Sequence, residues 1–191
     1  MEAEIANLAR RFGRPRNLFH TLPTVDFGPI NRGRAAEVAM AIRRPNGLFL
    51  LQTKQSYPKE TFRLPTGGIK RGEAIEHALL RETEEETNLN VAVSRFVATI
   101  TYRTPRGNRV FTTFLFILEE FGGILRPNDP NEGITAWREA DRRDLDAAAQ
   151  RLRTCPGTWA SWGHFRALVI DALVPAIGSS SAVLTRARQS G

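Results

Sequence analysis

Hydrophobic and polar positions divide this chain into alternating strand-like and helix-like stretches. Ala35 to Arg43 and Leu48 to Lys54 read as two strands joined at Pro45-Asn46-Gly47, Asn-Gly being a strong hairpin signal. Val91 to Arg103 and Arg109 to Leu118 read as a second, longer hairpin around Pro105-Arg106-Gly107-Asn108, where Phe111, Phe114 and Phe116 favour strand over helix. Between the two pairs, Gln55 to Glu60 form a loop, Thr61 to Pro65 an extended lead, and residues 73–87 a helix of 3.6-residue period. Residues 3–12 predict a short helix, followed by an irregular lead-in from Gly13 to Asn31 containing Pro15, Pro23 and Pro29. After the second hairpin come a polar loop from Glu120 to Gly133, a short strand from Ile134 to Arg138, a helix over about 140–152 and a last amphipathic helix from Thr158 to Ala176. Gly178-Ser179-Ser180-Ser181 opens a mobile tail. The order β-β-β-α-β-β-β-α-α predicts an α/β chain whose mixed sheet lies between helices. The expected division is 1–32 (helix and lead-in), 33–177 (one domain with its C-terminal helix) and 178–191 (tail), without repeats.

One helix breaks its own pattern. Ile75, Ala78 and Leu79 form an apolar stripe, but at i+7 and i+11 from Ile75 the stripe continues as Glu82 and Glu86, with Glu85 at its margin. These carboxylates crowd the C-terminal turn, where the helix dipole disfavours each anion by up to ~1 kcal/mol. Glu82 also faces Glu85 and Glu86 at i+3 and i+4, a mildly repulsive spacing. A divalent cation offsets all three costs, and hard Mg²⁺ or Mn²⁺ prefers such oxygen ligands. A Glu-rich helix is ordinarily a solvated face. Here an extended segment and a Gly67-Gly68 loop lie directly ahead of it, which sets it apart from an arbitrary acidic run.

Composition narrows the class. The chain has 191 residues, sufficient for one well-buried domain, and no apolar run reaches the ~20 residues a membrane helix needs. The N-terminus lacks the apolar core of a signal peptide. Cys155 is the only cysteine, so no internal disulfide forms, and the expected compartment is a reducing cytoplasm. A formal charge of +7 calls for an anionic partner. The positive residues are dispersed, with no block of five or six. A small phosphorylated molecule therefore ranks ahead of nucleic acid. A homodimer is left open.

The spacing Gly67-x5-Glu73-x7-Arg81-Glu82-x2-Glu85-Glu86 resembles the Nudix box, Gly-x5-Glu-x7-Arg-Glu-U-x-Glu-Glu-x-Gly-U, with U a bulky aliphatic. Thr83 replaces the first aliphatic and is expected to loosen packing under the helix without removing a ligand. Asn88 replaces the last glycine, and asparagine tolerates the left-handed conformation of a C-cap. The resemblance covers roughly residues 33–153 and implies a Nudix-like α/β/α sandwich. It also implies Mg²⁺-dependent hydrolysis, Mn²⁺ substituting, of the phosphoanhydride in a nucleoside diphosphate linked to another group. Carried over by position, Glu82, Glu85 and Glu86 are metal-ligand candidates, with the Gly67 carbonyl completing the shell. Glu82 or Glu85 is the candidate base, Arg81 orients Glu85, and Glu73 is scaffold. Asp129-Pro130-Asn131-Glu132-Gly133, ahead of Trp137, resembles the family's later acidic loop and offers Glu132 as a further metal or water contact, with Asp129 as the fallback.

Substrate contacts are expected from Lys54, Lys59 and Arg63 beside the glycine loop, from Gly68, and from an aromatic that stacks on a base, Tyr102 first, with Tyr57, Phe62 and Trp137 as alternatives. Pro105, sixteen residues beyond Leu89, is similar to the proline of the ADP-ribose pyrophosphatase branch. Arg63, near where that branch carries Glu, and Thr66 in place of its Ala depart from the branch pattern. Nucleotide sugars, dinucleotides, nucleoside triphosphates and capped RNA ends remain open as substrates, as does a non-catalytic nucleotide sensor.

Overall fold

The computed structural model describes residues 1–22, 36–105 and 110–178. The elements are α1 (Glu2–Phe12), β1 (Arg16–Thr21), β2 (Ala36–Arg43), β3 (Phe49–Lys54), β4 (Thr66–Gly68), α2 (Ile75–Thr87), β5 (Leu89–Arg103), β6 (Val110–Gly123), β7 (Ile134–Ala140), α3 (Arg142–Arg153) and α4 (Ala160–Leu173), with short 3₁₀ turns at 130–132, 157–159 and 174–176. One mixed sheet runs β1-β5-β6-β2-β3-β7, with β4 also paired to β2. The β5–β6 and β3–β7 pairs are antiparallel, and β1–β5 and β2–β6 are parallel.

Strand β2 shows why the architecture is layered. Val38 to Ile42 are fully buried, so both faces of the strand are covered. Ala39 and Ala41 join a cluster with Leu115, Ile117, α3 (Leu145, Ala149, Leu152) and α4 (Phe165, Val169, Leu173). Val38, Met40 and Ile42 join the opposite cluster with Phe114, Phe116, α1 (Leu8) and α2 (Ile75, Ala78, Leu79). Period-2 alternation sends successive side chains to opposite layers, giving the expected α/β/α sandwich.

Helix α1 serves α2 directly. The N-cap of α2, Ala74, supplies no side-chain hydrogen bond. Instead the Glu4 carboxylate, from α1, accepts from the Ile75 amide, and Arg11 pairs with Glu76 at 2.5 Å. An anion at a helix N-terminus satisfies an orphan donor and complements the dipole.

Three expectations are corrected. The lead-in from Gly13 to Asn31 is not irregular throughout, because Arg16–Thr21 form β1 in parallel register with β5, from Arg16 opposite Ala98 to Thr21 opposite Arg103. Its mostly exposed side chains are those of an edge strand and show no apolar alternation. Thr61 to Pro65 contribute only a bridge between Arg63 and Gln52, and the strand is Thr66–Gly68, paired with Glu37 to Ala39. Strand β6 also runs on to Gly123, into the stretch expected as loop. The domain boundary at 32/33, the hairpin tip at 106–109 and the tail beyond 178 lie outside the described residues. Among those described, no helix is long and apolar enough to cross a membrane.

Candidate active site

The α2 periodicity holds in three dimensions. Glu82 and Glu86 are 5 % and 1 % exposed, inside the same stripe as Ile75, Ala78 and Leu79, while Glu85 lies at the margin. The motif departures have local explanations. The Thr83 hydroxyl, fully buried, donates to the Leu79 carbonyl at 2.7 Å, so its polarity is satisfied within the helix. Asn88 adopts φ 54°, ψ 27°, closing the helix in the left-handed conformation.

Each carboxylate of the stripe is held by a cation. Arg81 donates to Glu82 (2.7 Å) and Glu85 (2.9 Å), to Glu73 through two nitrogens (2.7 and 2.9 Å) and to the Gly68 carbonyl (3.1 Å). This fork ties the glycine loop, the helix start and the carboxylate face of α2 into one unit. Arg81 holds the Glu73 carboxyl down to about 2, assisted by the Lys70 amide and His77, which supports the scaffold role expected for Glu73. Glu86 accepts from Gln52 and from Lys54, each at 2.9 Å, and Lys54 also reaches Glu132 at 2.5 Å. Burial pushes both the Glu82 and Glu86 carboxyls up, against the pull of Arg81 on Glu82 and of Arg63 and Lys54 on Glu86.

The acidic loop reaches the site through the C-terminus of α2. Its Arg126 amide donates to the Thr87 carbonyl, and the Asn128 and Asp129 amides donate to that of Glu85, so the loop caps carbonyls the helix leaves unpaired. The Gly133 carbonyl accepts from Gln55, just past β3. Glu132 thereby shares Lys54 with Glu86 of α2. Asp129, the fallback, turns its carboxylate onto Asn131.

A cleft of about 1100 Å³ collects Gly67, Gly68, Lys54, Arg63, Arg81, Glu82, Glu85 and Glu132. Glu86 lies beneath them. Among the described residues, no three His, Cys, Asp or Glu side chains are gathered as a ready metal-holding set; Arg81 and Lys54 hold the carboxylates instead. The donor chemistry nonetheless fits a hard divalent cation: several carboxylates with the Gly67 backbone pressed against Glu82, a Cβ on that glycine falling 2.0 Å from Glu82 Cγ.

Most of the substrate-contact expectations change. Tyr102 is fully buried, packed edge-on against Phe165 at 4.6 Å, outside the cleft lining, so it is core. Arg63 borders the cleft but is 4 % exposed, with Nε on the Tyr57 hydroxyl (2.9 Å) and Nη1 on the Leu64 carbonyl (2.6 Å) and the Thr66 hydroxyl (3.0 Å). It braces the glycine loop rather than presenting a free fork. Lys54 is engaged by two glutamates. Lys59 is exposed and does not line the cleft, Phe62 is buried under Arg138, and Trp137 packs on the α1–α2 layer. Of the proposed stacking aromatics only Tyr57 lines the cleft, beside Trp159 and Trp162, which the sequence reading passed over. Their spacing with Arg166, i, i+3 and i+7, was the signal available.

With this geometry in hand, the comparisons are direct. The NUDIX domain family model matches residues 33–160, and the chain belongs to that family. An ADP-ribose pyrophosphatase of Methanocaldococcus jannaschii is 34 % identical over 97 residues, covering 50 % of this chain and 56 % of the relative; the match thus spans about half the length of that curated protein. In fold, the chain is similar to a NUDIX hydrolase from Nitrosomonas europaea (TM-score 0.54, 18 % identity, 75 % and 90 % coverage). It is also similar to a MutT NUDIX hydrolase from Burkholderia pseudomallei (TM-score 0.50, 22 % identity, 73 % and 98 % coverage).

Proposed function

We propose that the protein hydrolyses a phosphoanhydride bond in a nucleoside diphosphate linked to a second group, with Mg²⁺ or Mn²⁺ as cofactor, and that ADP-ribose or a nucleotide sugar is the substrate type. The observation that carries this reading is the convergence of Glu82, Glu85 and Glu132 with Gly67 and Gly68 in one cleft, above a buried Glu86. The named activity of the archaeal relative supports the substrate type.

Glu82, Glu85, Glu86 and the Gly67 carbonyl would hold the metal, with Glu132 closing the set from the loop. When bound, it neutralises phosphoryl charge and lowers the pKa of a coordinated water. Arg81 keeps the Glu82 and Glu85 carboxylates oriented through charge-assisted bonds. Glu85, the more exposed of the box carboxylates, accepts the proton of the attacking water. Lys54 offsets negative charge between Glu86 and Glu132 and, lining the cleft, is the candidate phosphate contact.

The test is a Mg²⁺-dependent screen of nucleotide sugars, dinucleotides and nucleoside triphosphates, with products identified by mass spectrometry in ¹⁸O-labelled water. A nucleoside monophosphate plus a phosphorylated remainder, with label on phosphorus and activity lost in EDTA, is the expected result. Label on a sugar carbon, or turnover indifferent to EDTA, contradicts it.

A further inference from the structure

The catalytic end of the cleft is charged; its other end is built differently. Helix α4 presents Trp162 and, one turn later, Arg166 to the cleft, and Trp159 lies one turn before Trp162 at the helix entry. Residues three and four apart share a helix face. Gly163 fixes the height of this face: a Cβ there would fall 2.0 Å from the Leu152 carbonyl oxygen of α3, so the two helices approach backbone to backbone. Tyr57 completes the wall, its ring centroid 4.6 Å from Trp162 and 5.8 Å from Trp159, with the two indoles 5.1 Å apart. Arg63, bonded to the Tyr57 hydroxyl, links this wall to the glycine loop.

A buried ion pair also lines the cleft. Glu37 and Arg166 are 4 % and 7 % exposed, and Arg166 Nη1 reaches Glu37 Oε1 at 2.6 Å. The Thr113 hydroxyl donates to the same oxygen at 2.9 Å. Among the described residues, both hydrogen bonds to this carboxylate fall on Oε1, and Glu37 lines the cleft. Glu37 stands opposite Gly68 in the β2–β4 register, next to the catalytic loop. A carboxylate that lines a cleft in a nearly buried setting is a natural acceptor for an N–H of a bound ligand.

We propose that this wall is the nucleobase subsite: the base stacks on the outer face of the Tyr57–Trp159–Trp162 cluster, and Glu37 Oε2 accepts from an N–H on its edge. The proposal rests on the nucleotide reading of the catalytic end. A cationic group caged between the rings is disfavoured, because an enclosed cation lies within about 6 Å of every ring centroid and these rings already touch one another. Trp162 and Arg166, on α4, lie beyond the residues matched by the family model, while Tyr57 and Trp159 lie within them.

The test is calorimetric binding of AMP, GMP, CMP, UMP and, as a baseless control, ribose 5-phosphate, in EDTA so that turnover plays no part. Wild type is expected to bind at least one monophosphate roughly tenfold or more tighter than ribose 5-phosphate, from base stacking on an aromatic surface. Trp162→Ala should erase that difference while leaving ribose 5-phosphate binding unchanged, and Trp162→Phe should restore most of it. Glu37→Gln keeps an oxygen for Arg166 and Thr113 but turns the other end into a donor, and should weaken the preferred monophosphate alone. Equal binding of monophosphate and ribose 5-phosphate in wild type, or a Trp162→Ala variant that binds as wild type does, overturns the proposal. Failure of the hydrolase reading appears elsewhere, as wild-type protein without Mg²⁺-dependent turnover.

Discussion

Gly67 and Glu82 compete for one volume: a Cβ on the glycine would lie 2.0 Å from Glu82 Cγ and 2.2 Å from its Oε2. The demand is one of approach, since Gly67 is not among the glycines with positive φ. Gly67→Ala is therefore expected to fold at a cost of about 1–3 kcal/mol and to push Glu82 out of the cleft floor. Mg²⁺ should raise the melting temperature of wild type, as a native-state ligand does, and this gain should vanish in the variant. Thermal melts with Mg²⁺ and with EDTA make the comparison, and an undiminished Mg²⁺ gain contradicts the placement.

Glu85→Gln and Glu86→Gln remove charge at constant volume. Turnover of whichever substrate the screen identifies should fall by about 10²-fold or more in each, with circular dichroism unchanged for Glu85→Gln. Glu86 is buried against Gln52 and Lys54, so its variant should also show a shifted melting point. Near-normal kcat in both variants removes the catalytic assignment.

Two glutamates on α2 and its approach should respond to acid with opposite signs. Glu73 is held down to about 2 by Arg81, against about 4.3 in an unfolded chain. Its contribution is present above about 4.3 and is lost as pH falls toward 2, so Glu73→Gln should flatten the acid limb of stability in that window. Glu82 is raised by burial, so its charged form costs stability above its folded pKa, and the cost disappears once the carboxyl is protonated. In EDTA at pH 7.5, Glu82→Gln should melt roughly 2 °C higher than wild type, and the gap should close as pH falls to the carboxylate range. Melts across pH 2–8 read both effects.

Arg63→Ala should act on stability before it acts on substrate. Nε and Nη1 are engaged with Tyr57, Leu64 and Thr66, and truncation strands those buried acceptors at a cost of about 2–4 kcal/mol. Urea denaturation should show the loss. A variant of wild-type stability with only a raised KM would instead assign Arg63 to direct phosphate binding.

The motif was legible because its spacing is local: Glu82 and Glu86 entered the core stripe by helical period alone, and both are buried. Strand β2 was legible because both its faces are apolar, and the longer hairpin because of its β-branched and aromatic residues. Strand β1 was not, since an edge strand makes only part of the sheet's contacts and keeps polar side chains. Tyr102 and Phe62 were misplaced because a strand aromatic reads alike whether it faces a helix layer or a cleft.

By itself, then, the sequence determined the helix that carries the carboxylates, the glycine loop before it and the layered class of the fold. These depend on periodicity and on short-range backbone requirements, which neighbouring residues encode. Tertiary structure decided which cation each carboxylate meets: Arg81 was within helical reach of Glu85, but Lys54 meets Glu86 and Glu132 across separations of 32 and 78 residues. It likewise decided that Glu37 faces Arg166 across 129 residues, because contacts between layers are set by how strands are ordered in the sheet, and no local pattern specifies that order.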